Sequence, residues 1–391
     1  MRTTGTQAIG VRAPIITQGD NLAQIVLDSL LAYCKEANTQ LKDKDIIGVT
    51  EAVVAKAQGN YATVDQIAQS VSEQFPSGAV GIVFPILSRN RFSVLLRGIA
   101  RGVEKLYVQL SYPSDEVGNH LVRPEEIYEK GINPYRDVYT EAAFRALFSD
   151  TTHEFTAIDY MELYRNMGNI EIFLANDPAE MLKHTKQVIV GDIHNRHLTK
   201  KCLEAAGAEN LCDLTEILNS PVSGSGYNPQ YGLLGSNKAD EERVKLFPHS
   251  CEEFVAELQE LIFQETGAKV EVLIYGDGAF KDPVGKIWEL ADPVVSPAFT
   301  TGLGGLPNEL KLKYIADTEL AGKTPAEAQA AMIARIREKE GNLKGKMETE
   351  GTTPRRISDL VGSLCDLMSG SGDKGTPIIL VRGYFDNYAS M

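Results

Sequence analysis

The sequence feature that most constrains the fold is an apolar run that ends in an acid between two glycines. Residues 272–275 read VLIY and lead directly into Gly276-Asp277-Gly278. The apolar run predicts a buried strand, and the glycines allow a sharp turn at its end. Asp277 is therefore expected at the end of a central strand, where binding and catalytic groups are often found.

The residues after this turn carry more ionisable groups than a loop needs for solubility. They are interleaved with prolines and include the single tryptophan: Lys281, Asp282, Lys286, Trp288, Glu289 and Asp292. Carboxylates with this spacing suit a hard cation together with phosphate oxygens. The alternative is an ordinary turn with a solvated acid and a core tryptophan.

Composition narrows the class of protein. The 391 residues predict roughly two or three domains, and 43% hydrophobic with 24% charged residues is typical of a soluble globular protein. A formal charge of −14 argues against a general nucleic-acid binder, which needs a basic surface. The five cysteines form no CxxC motif, and no apolar run approaches the length of a membrane span. We therefore expect a cytoplasmic enzyme with no nucleic-acid or membrane partner.

A lysine follows another predicted buried strand near the N-terminus. Residues 45–54 (DIIGVTEAVV) fit such a strand, and Lys56 and Gly59 come just after it. A lysine at this place can meet a phosphate, although most single lysines are solvated surface residues. An earlier helix is predicted to begin at a cap formed by Asp20.

A second acidic turn follows a group of predicted strands at residues 80–87, 93–99 and 106–110. Arginines lie in and between these strands: Arg89, Arg91, Arg97 and Arg101. The turn that follows contains Asp115, Glu116 and Asn119, again at a strand end. It repeats the arrangement predicted for Asp277.

The middle of the chain predicts a small βαβαβ unit. Its strands are β-branched-rich runs at residues 170–174 and 187–190, with a third at 208–214. Asp192, His194 and His197 follow the second strand and form a candidate metal or anion site, although their spacing matches no zinc motif.

Two further loops are rich in glycine. Residues 223–238 predict either a mobile lid or a disordered connector. Residues 370–375 read GSGDKG, between a predicted helix at 355–368 and a predicted strand at 378–381. Successive amides in such a loop can form an anion-binding nest, although many helix-to-strand turns share this composition. The start of the preceding helices is marked by capping boxes at Ser250/Glu253 and Thr324/Glu327.

Taken together, these segments resemble the coenzyme F-420-0:L-glutamate ligase (gamma-glutamyl ligase) family. Members join glutamate through a γ-linked amide to a deazaflavin precursor, using GTP and a divalent metal. The matching segments are Pro14-Ile15-Ile16 with residues 19–23, residues 45–59 with Lys56, the turn at 115–119, residues 272–277 and residues 370–383. Residues 121–250 look like an insertion that shorter members lack.

The resemblance implies an α/β (α+β) fold. Both chain ends, residues 1–120 and 251–391, would form a mixed-sheet ligase-like core, and residues 121–250 an inserted smaller βαβ domain. A homodimer is expected from the resemblance alone.

The resemblance also implies roles for individual residues. Asp115 and Asp277 would bind Mg²⁺ or Mn²⁺ and, with Lys56, form the catalytic set; Asn119 would contact GTP, and K⁺ is a further candidate cation. The nucleotide would be held by Pro14, Ile15, Ile16, Thr17, Lys56, Gly370, Gly372, Asp373, Lys374 and Gly375.

The implied reaction activates an acid as an acyl phosphate, which an amine then attacks. Arg355, Arg356 and Lys374 are candidates for offsetting phosphate charge. One of Arg89, Arg97 or Arg101 is a candidate for binding the carboxylate of the amino acid.

Several alternatives remain open. The expected acceptor is the deazaflavin or, alternatively, a folate-like or other acidic metabolite, and ATP is an alternative to GTP. Glu51-Ala52 stands where family members tend to have Ser-Thr, and Gly276-Asp277-Gly278 stands where they have Asp-Thr. A non-catalytic nucleotide-binding regulator is a second hypothesis, because the metal turns are altered and the insertion at residues 121–250 is large. A dinucleotide oxidoreductase is less favoured because no G-x-G-x-x-G follows a predicted strand.

Overall fold

A computed structural model describes residues 3–278, 291–349, 355–369 and 372–390. Lys281, Asp282, Lys286, Trp288, Glu289 and Gly370 therefore lie outside the described residues. The strands are β1 (Gln7–Val11), β2 (Ile46–Thr50), β3 (Tyr61–Thr63), β4 (Ala79–Val83), β5 (Lys105–Leu110), β6 (Tyr139–Thr140), β7 (Ile170–Leu174), β8 (Gln187–Val190), β9 (Asn210–Asp213), β10 (Asn237–Lys238), β11 (Arg243–Lys245), β12 (Glu271–Tyr275), β13 (Ala298–Phe299) and β14 (Ile378–Arg382).

The α-helices are α1 (Leu22–Glu36), α2 (Glu51–Gln58), α3 (Val64–Gln74), α4 (Phe92–Arg101), α5 (Pro124–Glu129), α6 (Glu141–Leu147), α7 (Tyr160–Arg165), α8 (Arg196–Ala206), α9 (Cys251–Thr266), α10 (Leu312–Glu319), α11 (Pro325–Arg337) and α12 (Ile357–Met368). Short 3₁₀ helices lie at Pro178–Lys183, Leu214–Glu216 and Thr301–Leu303. None of the helices in the described ranges is both long and apolar enough to cross a membrane.

A mixed sheet, here called the terminal sheet, joins the two ends of the chain. Its order is β1-β14-β2-β12-β13, and within it only the β2–β12 pair is parallel. The predicted α/β fold class is confirmed. The parallel pair places Thr50 opposite Tyr275, so the carboxyl ends of β2 and β12 lie side by side.

A second sheet, here called the central sheet, has the order β6-β7-β5-β4-β8-β9 and is parallel except for the short edge strand β6. From β4 the chain adds β5 and then β7 on one side, and returns to add β8 and β9 on the other. The sheet joins strands from both sides of residue 120, because β5 pairs with β7. The predicted division of the chain at residues 120 and 250 stays a prediction.

A small third sheet, here called the linking sheet, has the order β10-β11-β3. Strand β3 follows α2 closely in sequence, whereas β11 precedes α9. The sheet brings Lys245 of β11 opposite Tyr61 of β3. Lys245 is thereby placed near the N-terminus of α2.

Both faces of the terminal sheet are buried. Val272 and Ile274 of β12 pack in a cluster with residues of α1 and α9, whereas Leu273 and Tyr275 pack on the other face against α12. Side chains alternate between the faces of a strand, so a strand buried on both sides reads as a continuous apolar run. This is the physical reason for the VLIY pattern.

Helix α12 lies very close to β2 at a glycine. A Cβ built on Gly48 would lie 2.6 Å from Sγ of Cys365, a distance that forces the neighbour to move. We expect Gly48→Ala to lower the free energy of unfolding by about 1–3 kcal/mol. Because the clash is with the sulfur, adding Cys365→Ala should recover part of that loss.

Denaturant unfolding of the two single variants and the double variant checks this expectation. The control is Gly341→Ala, where an added methyl meets nothing within 4 Å. Strict additivity of the two single changes would contradict the proposed contact.

Two predicted strands are wrong. The strand predicted at residues 45–54 ends at Thr50, and the chain continues as α2, so Lys56 lies in the last turn of a helix. Residues 93–99 are part of α4 rather than a strand. Both runs are short and apolar, and such runs are compatible with a buried helix as well as with a strand.

Three local predictions also need correction. Asn21 rather than Asp20 caps α1, since its side chain accepts a hydrogen bond from the Gln24 amide. Ser250 precedes α9 in a left-handed conformation without a side-chain cap. Residues 223–238 are not a disordered connector, because Leu233, Leu234 and Ser236 within this stretch are buried, and the mobile lid stays a prediction. The capping box at Thr324 is confirmed.

Candidate functional site

The carboxyl ends of the parallel strands β2 and β12 bring two acids to one edge of the terminal sheet. Glu51 follows β2 directly, and Asp277 follows β12 after Gly276. Asp277 therefore lies where the sequence predicts, at the end of a buried strand. The sheet supplies a rigid base for both acids.

Asp277 shares a cation with Asp292. Arg91 donates from one nitrogen to Oδ2 of Asp277 at 2.8 Å and from the other to Oδ1 of Asp292 at 2.6 Å. The backbone amide of Asp277 donates to Oδ2 of Asp292 at 2.9 Å. A Cβ on Gly276 would lie 2.4 Å from that same oxygen. Glycine at position 276 is thus required for the close approach of Asp292.

Glu51 has its own partner in the linking sheet. Lys245 donates to both carboxylate oxygens of Glu51, at 3.0 and 3.1 Å, and the two side chains are only 6% and 10% exposed. Burial raises the pKa of Glu51, and the charge of Lys245 opposes this shift. The pair joins the linking sheet to the start of α2.

The electrostatic environment of Asp277 is unusual for a carboxylate. Burial, followed by the charge of Asp292, raises its pKa to about 7, while Arg91 opposes the shift and Asp366 and Glu51 add to it. Among the described residues, four acids (Glu51, Asp277, Asp292 and Asp366) thus surround two cations (Arg91 and Lys245). The site has an excess of negative charge that favours cations.

Three of the predicted nucleotide-binding segments converge beside this edge. The amide of Ala13 donates to the carbonyl of Gly375 at 3.3 Å, and the amide of Thr50 donates to that of Pro377 at 3.1 Å. The amide of Gly19 donates to the carbonyl of Ala57 at 2.8 Å, which places the 13–19 loop against the end of α2. The structure therefore brings the loops at 13–19 and 372–377 together with the helix that carries Lys56.

The predicted residues of these loops differ in exposure. Pro14, Ile15 and Thr17 are exposed and Ile16 is buried, whereas Lys56 is half-buried and Gly372, Asp373, Lys374 and Gly375 are exposed. Ile15 is 86% exposed, which is unusual for isoleucine. These loops thus carry Lys56 and Lys374 among mostly exposed residues.

Asp115 and Asn119 lie elsewhere, at the carboxyl edge of the central sheet. Oδ1 of Asp115 accepts from the amides of Val117 and Asn119, and Oδ2 accepts from the amide of Leu87 and the side chain of Asn119, all at 2.7–3.1 Å. Burial raises the pKa of Asp115 to about 6. Asp115 therefore stabilises the turn at residues 115–119 through hydrogen bonds within that turn.

Asp115 and Asp277 are connected through the segment at residues 87–91. Asp115 binds the amide of Leu87 at its start, and Asp277 binds the guanidinium of Arg91 at its end. Asp115 would have to release its donors before it could bind a metal. In the described ranges, no group of three or more His, Cys, Asp or Glu side chains is arranged to hold a metal ion. The Asp115–Asp277 metal pair therefore stays a prediction that these contacts do not favour.

The arginines predicted to bind the amino acid lie outside the cluster. Arg97 pairs with Glu241 and Glu242, and Arg101 with Asp65 and Glu242. Arg89 is exposed, and so are Arg355 and Arg356, which were predicted to offset phosphate charge.

At the other predicted metal or anion position, the amides of Ile193, His194 and Asn195 bind the carboxylate of Glu116. A carboxylate of the chain itself therefore fills this helix N-terminus.

Sequence reasoning assigned no role to Arg91, Lys245 or Glu51. Arg91 is one of four arginines in a short stretch, and nothing in the pattern marks it as the one that reaches β12. Lys245 lies in a three-residue strand. The available signal was Glu51 itself, because an acid inside an apolar run requires a buried partner.

Comparison with known proteins is consistent with this architecture. A sequence search of curated proteins finds no match. A family model described as F420-0:Gamma-glutamyl ligase matches residues 10–383, nearly the whole chain, including both halves of the terminal sheet and the strands of the central sheet. The chain therefore belongs to the F420-0:gamma-glutamyl ligase family.

Proposed function

We propose that this chain is a nucleotide-dependent amide ligase. In this proposal it joins a glutamate-like amino acid to an acidic metabolite through an acyl phosphate formed from GTP. The observation that supports it best is the convergence of the 13–19 loop, α2 and the 372–377 loop beside the acids at the ends of β2 and β12.

The loops have the chemistry that a nucleoside triphosphate needs. In this proposal Lys56 and Lys374 supply positive charge for the phosphates, and backbone amides of the exposed residues 372–375 supply hydrogen-bond donors. Ile15 offers an exposed apolar side chain on which a base can rest. Burial of the acyl phosphate against these groups would protect it from water.

The acids at the strand ends fit a hard divalent cation by their donor chemistry. Carboxylate oxygens are the ligands that Mg²⁺ and Mn²⁺ prefer, and Asp277 and Asp292 would hold such an ion in this proposal. When bound, the ion would neutralise the charge that builds up between two anionic substrates. Asp115 would then support the 87–91 segment.

Lys56→Met tests the nucleotide site. We expect the Kd for GTP to rise about tenfold, because one charge-assisted contact to a phosphate is removed. The free energy of unfolding should not change, since Lys56 is only half-buried and no described residue forms an ion pair with it. Calorimetry with GTP measures the effect, and Lys35→Met, at an exposed position of α1, is the matched control. Equal GTP affinities of Lys56→Met and Lys35→Met would show that Lys56 is not part of the nucleotide site.

The reaction is tested by incubating the protein with GTP, Mg²⁺ or Mn²⁺, glutamate and either a deazaflavin or a folate acceptor. We expect GDP release that requires both glutamate and acceptor, and an acceptor mass increased by one glutamyl residue. Replacing GTP with ATP shows which nucleotide the reaction uses. Adding K⁺ shows whether the reaction requires a monovalent ion. GDP release at the same rate with and without the acceptor would contradict the proposal.

A non-catalytic nucleotide-binding regulator is the second candidate. Two observations favour it: Arg91 occupies the position between Asp277 and Asp292, and Asp115 is fully hydrogen-bonded. Tight GTP binding without product for any acceptor would support this function. A homodimer and a cytoplasmic location are part of the proposal and are tested by sedimentation and by cell fractionation.

A further inference from the structure

Arg91 reaches the candidate site from a different sheet. Arg91 lies between α4 and β4 of the central sheet, whereas Asp277 and Asp292 follow β12 of the terminal sheet. The amide of Arg91 donates to the Ser88 hydroxyl at 3.1 Å, and the Ser88 amide donates to the hydroxyl of Tyr164 at 2.9 Å. The backbone of Arg91 is therefore fixed.

The guanidinium fills the space between two carboxylates. The Arg91 side chain is 16% exposed, and those of Asp277 and Asp292 are 26% and 1% exposed. One oxygen of Asp292 is bound to Arg91 and the other to the Asp277 amide. Among the described residues, the hydrogen bond and ion pair of the Asp277 carboxylate both go to Oδ2. Asp277 is the more accessible acid of the pair.

We propose that Arg91 is a tethered cation that competes with a divalent ion for the Asp277–Asp292 pair. When an ion binds, the guanidinium leaves the pair and becomes able to bind an anionic group of a substrate. The inference deepens the proposed function and rests on its divalent ion.

The competition follows from charge. A divalent ion and a guanidinium that contact the same two carboxylates lie only a few ångströms apart, and their repulsion is weakly screened at a buried position. The other charged groups near the pair are Glu51 with its partner Lys245 and the acid Asp366. Removal of Arg91 leaves an uncompensated buried acid, Asp292, which a bound cation would stabilise.

Arg91→Gln tests the competition with Mn²⁺ as the only ligand. We expect the metal-free variant to melt at a lower temperature than the parent protein, and Mn²⁺ to raise its Tm by more than it raises that of the parent. Calorimetry should show at least about tenfold tighter Mn²⁺ binding in the variant. Arg89→Gln, a neighbouring exposed arginine, is the control and should leave Mn²⁺ affinity unchanged. Adding Asp292→Asn to Arg91→Gln should abolish the gain.

Mn²⁺ binding by Arg91→Gln that is no tighter than in the parent protein would overturn the inference. Should Arg91→Gln fail to fold, Arg91→Lys serves instead. A lysine contacts one acid rather than two, so a smaller gain in affinity is expected, and no gain overturns the inference equally. A gain in Mn²⁺ affinity without any ligase activity would refute the proposed reaction and leave the competition intact.

Discussion

Replacing Asp277 with asparagine is expected to abolish ligase turnover while leaving the protein folded. We expect kcat/KM to fall at least about 100-fold, because Asp277 is the accessible acid of the site and an amide cannot supply its charge. Acceptor-dependent GDP release measures the effect. Asp317→Asn, at an exposed position of α10, is the matched control and should retain full turnover.

The same substitution makes a separate prediction for stability. The pKa of Asp277 is raised to about 7 by burial and by the charge of Asp292. A carboxyl with a higher pKa in the folded protein binds more protons when folded, so its contribution to stability falls as pH rises from about 4 to 7. Asp277→Asn removes this dependence. The free energy of unfolding of Asp277→Asn should therefore increase relative to that of the parent protein as pH rises through that window.

Chemical denaturation at pH 5 and pH 8 measures this difference. Full turnover in Asp277→Asn would exclude Asp277 from the chemistry. A variant that is less stable than the parent at pH 8 would show that the ion pair with Arg91 outweighs the cost of burying the charge. These two results are independent, so function and stability are tested separately.

The second large effect concerns the buried ion pair of Glu51 and Lys245. We expect Lys245→Met to lower the free energy of unfolding by about 3–5 kcal/mol, because a buried carboxylate loses its only cationic contact among the described residues. Adding Glu51→Gln should recover most of the loss. Lys238→Met, which removes a more exposed pair with Glu241 in the same sheet, should cost less than about 1 kcal/mol.

The loss in Lys245→Met should depend on pH. Burial already raises the pKa of Glu51, and removing Lys245 raises it further. The folded variant then takes up a proton more readily than the unfolded chain, so its stability relative to the parent should increase as pH falls from 8 to 5. A pH-independent loss would indicate that Glu51 finds another cationic partner.

Much of the terminal sheet could be predicted from the sequence. Residues 272–275 and 378–381 are apolar runs with turn residues beside them, and both are strands. Short apolar runs fit a strand that is buried on both faces, and the turn residues beside these two runs leave too few residues for a helix. The end of β12 just before Gly276 and Asp277 was therefore predictable from the glycines.

The composition of the site could not be predicted in the same way. Arg91, Glu51 and Lys245 are close in space but come from a loop, a helix start and a short strand. Their proximity depends on how the three sheets pack against one another. A local sequence pattern does not predict this packing. The misassigned strand at residues 93–99 had the further effect of concealing that Arg91 lies just before a helix.

The pairing of β1 with β14 has a consequence for the order of biosynthesis. The partner strand of residues 7–11, residues 378–382, is made more than 300 residues after them. Strands β4, β5, β7, β8 and β9 have their partners within a much shorter stretch and can assemble during translation. The nascent chain must therefore keep the apolar strand β2 from aggregating until both β12 and β14 have emerged.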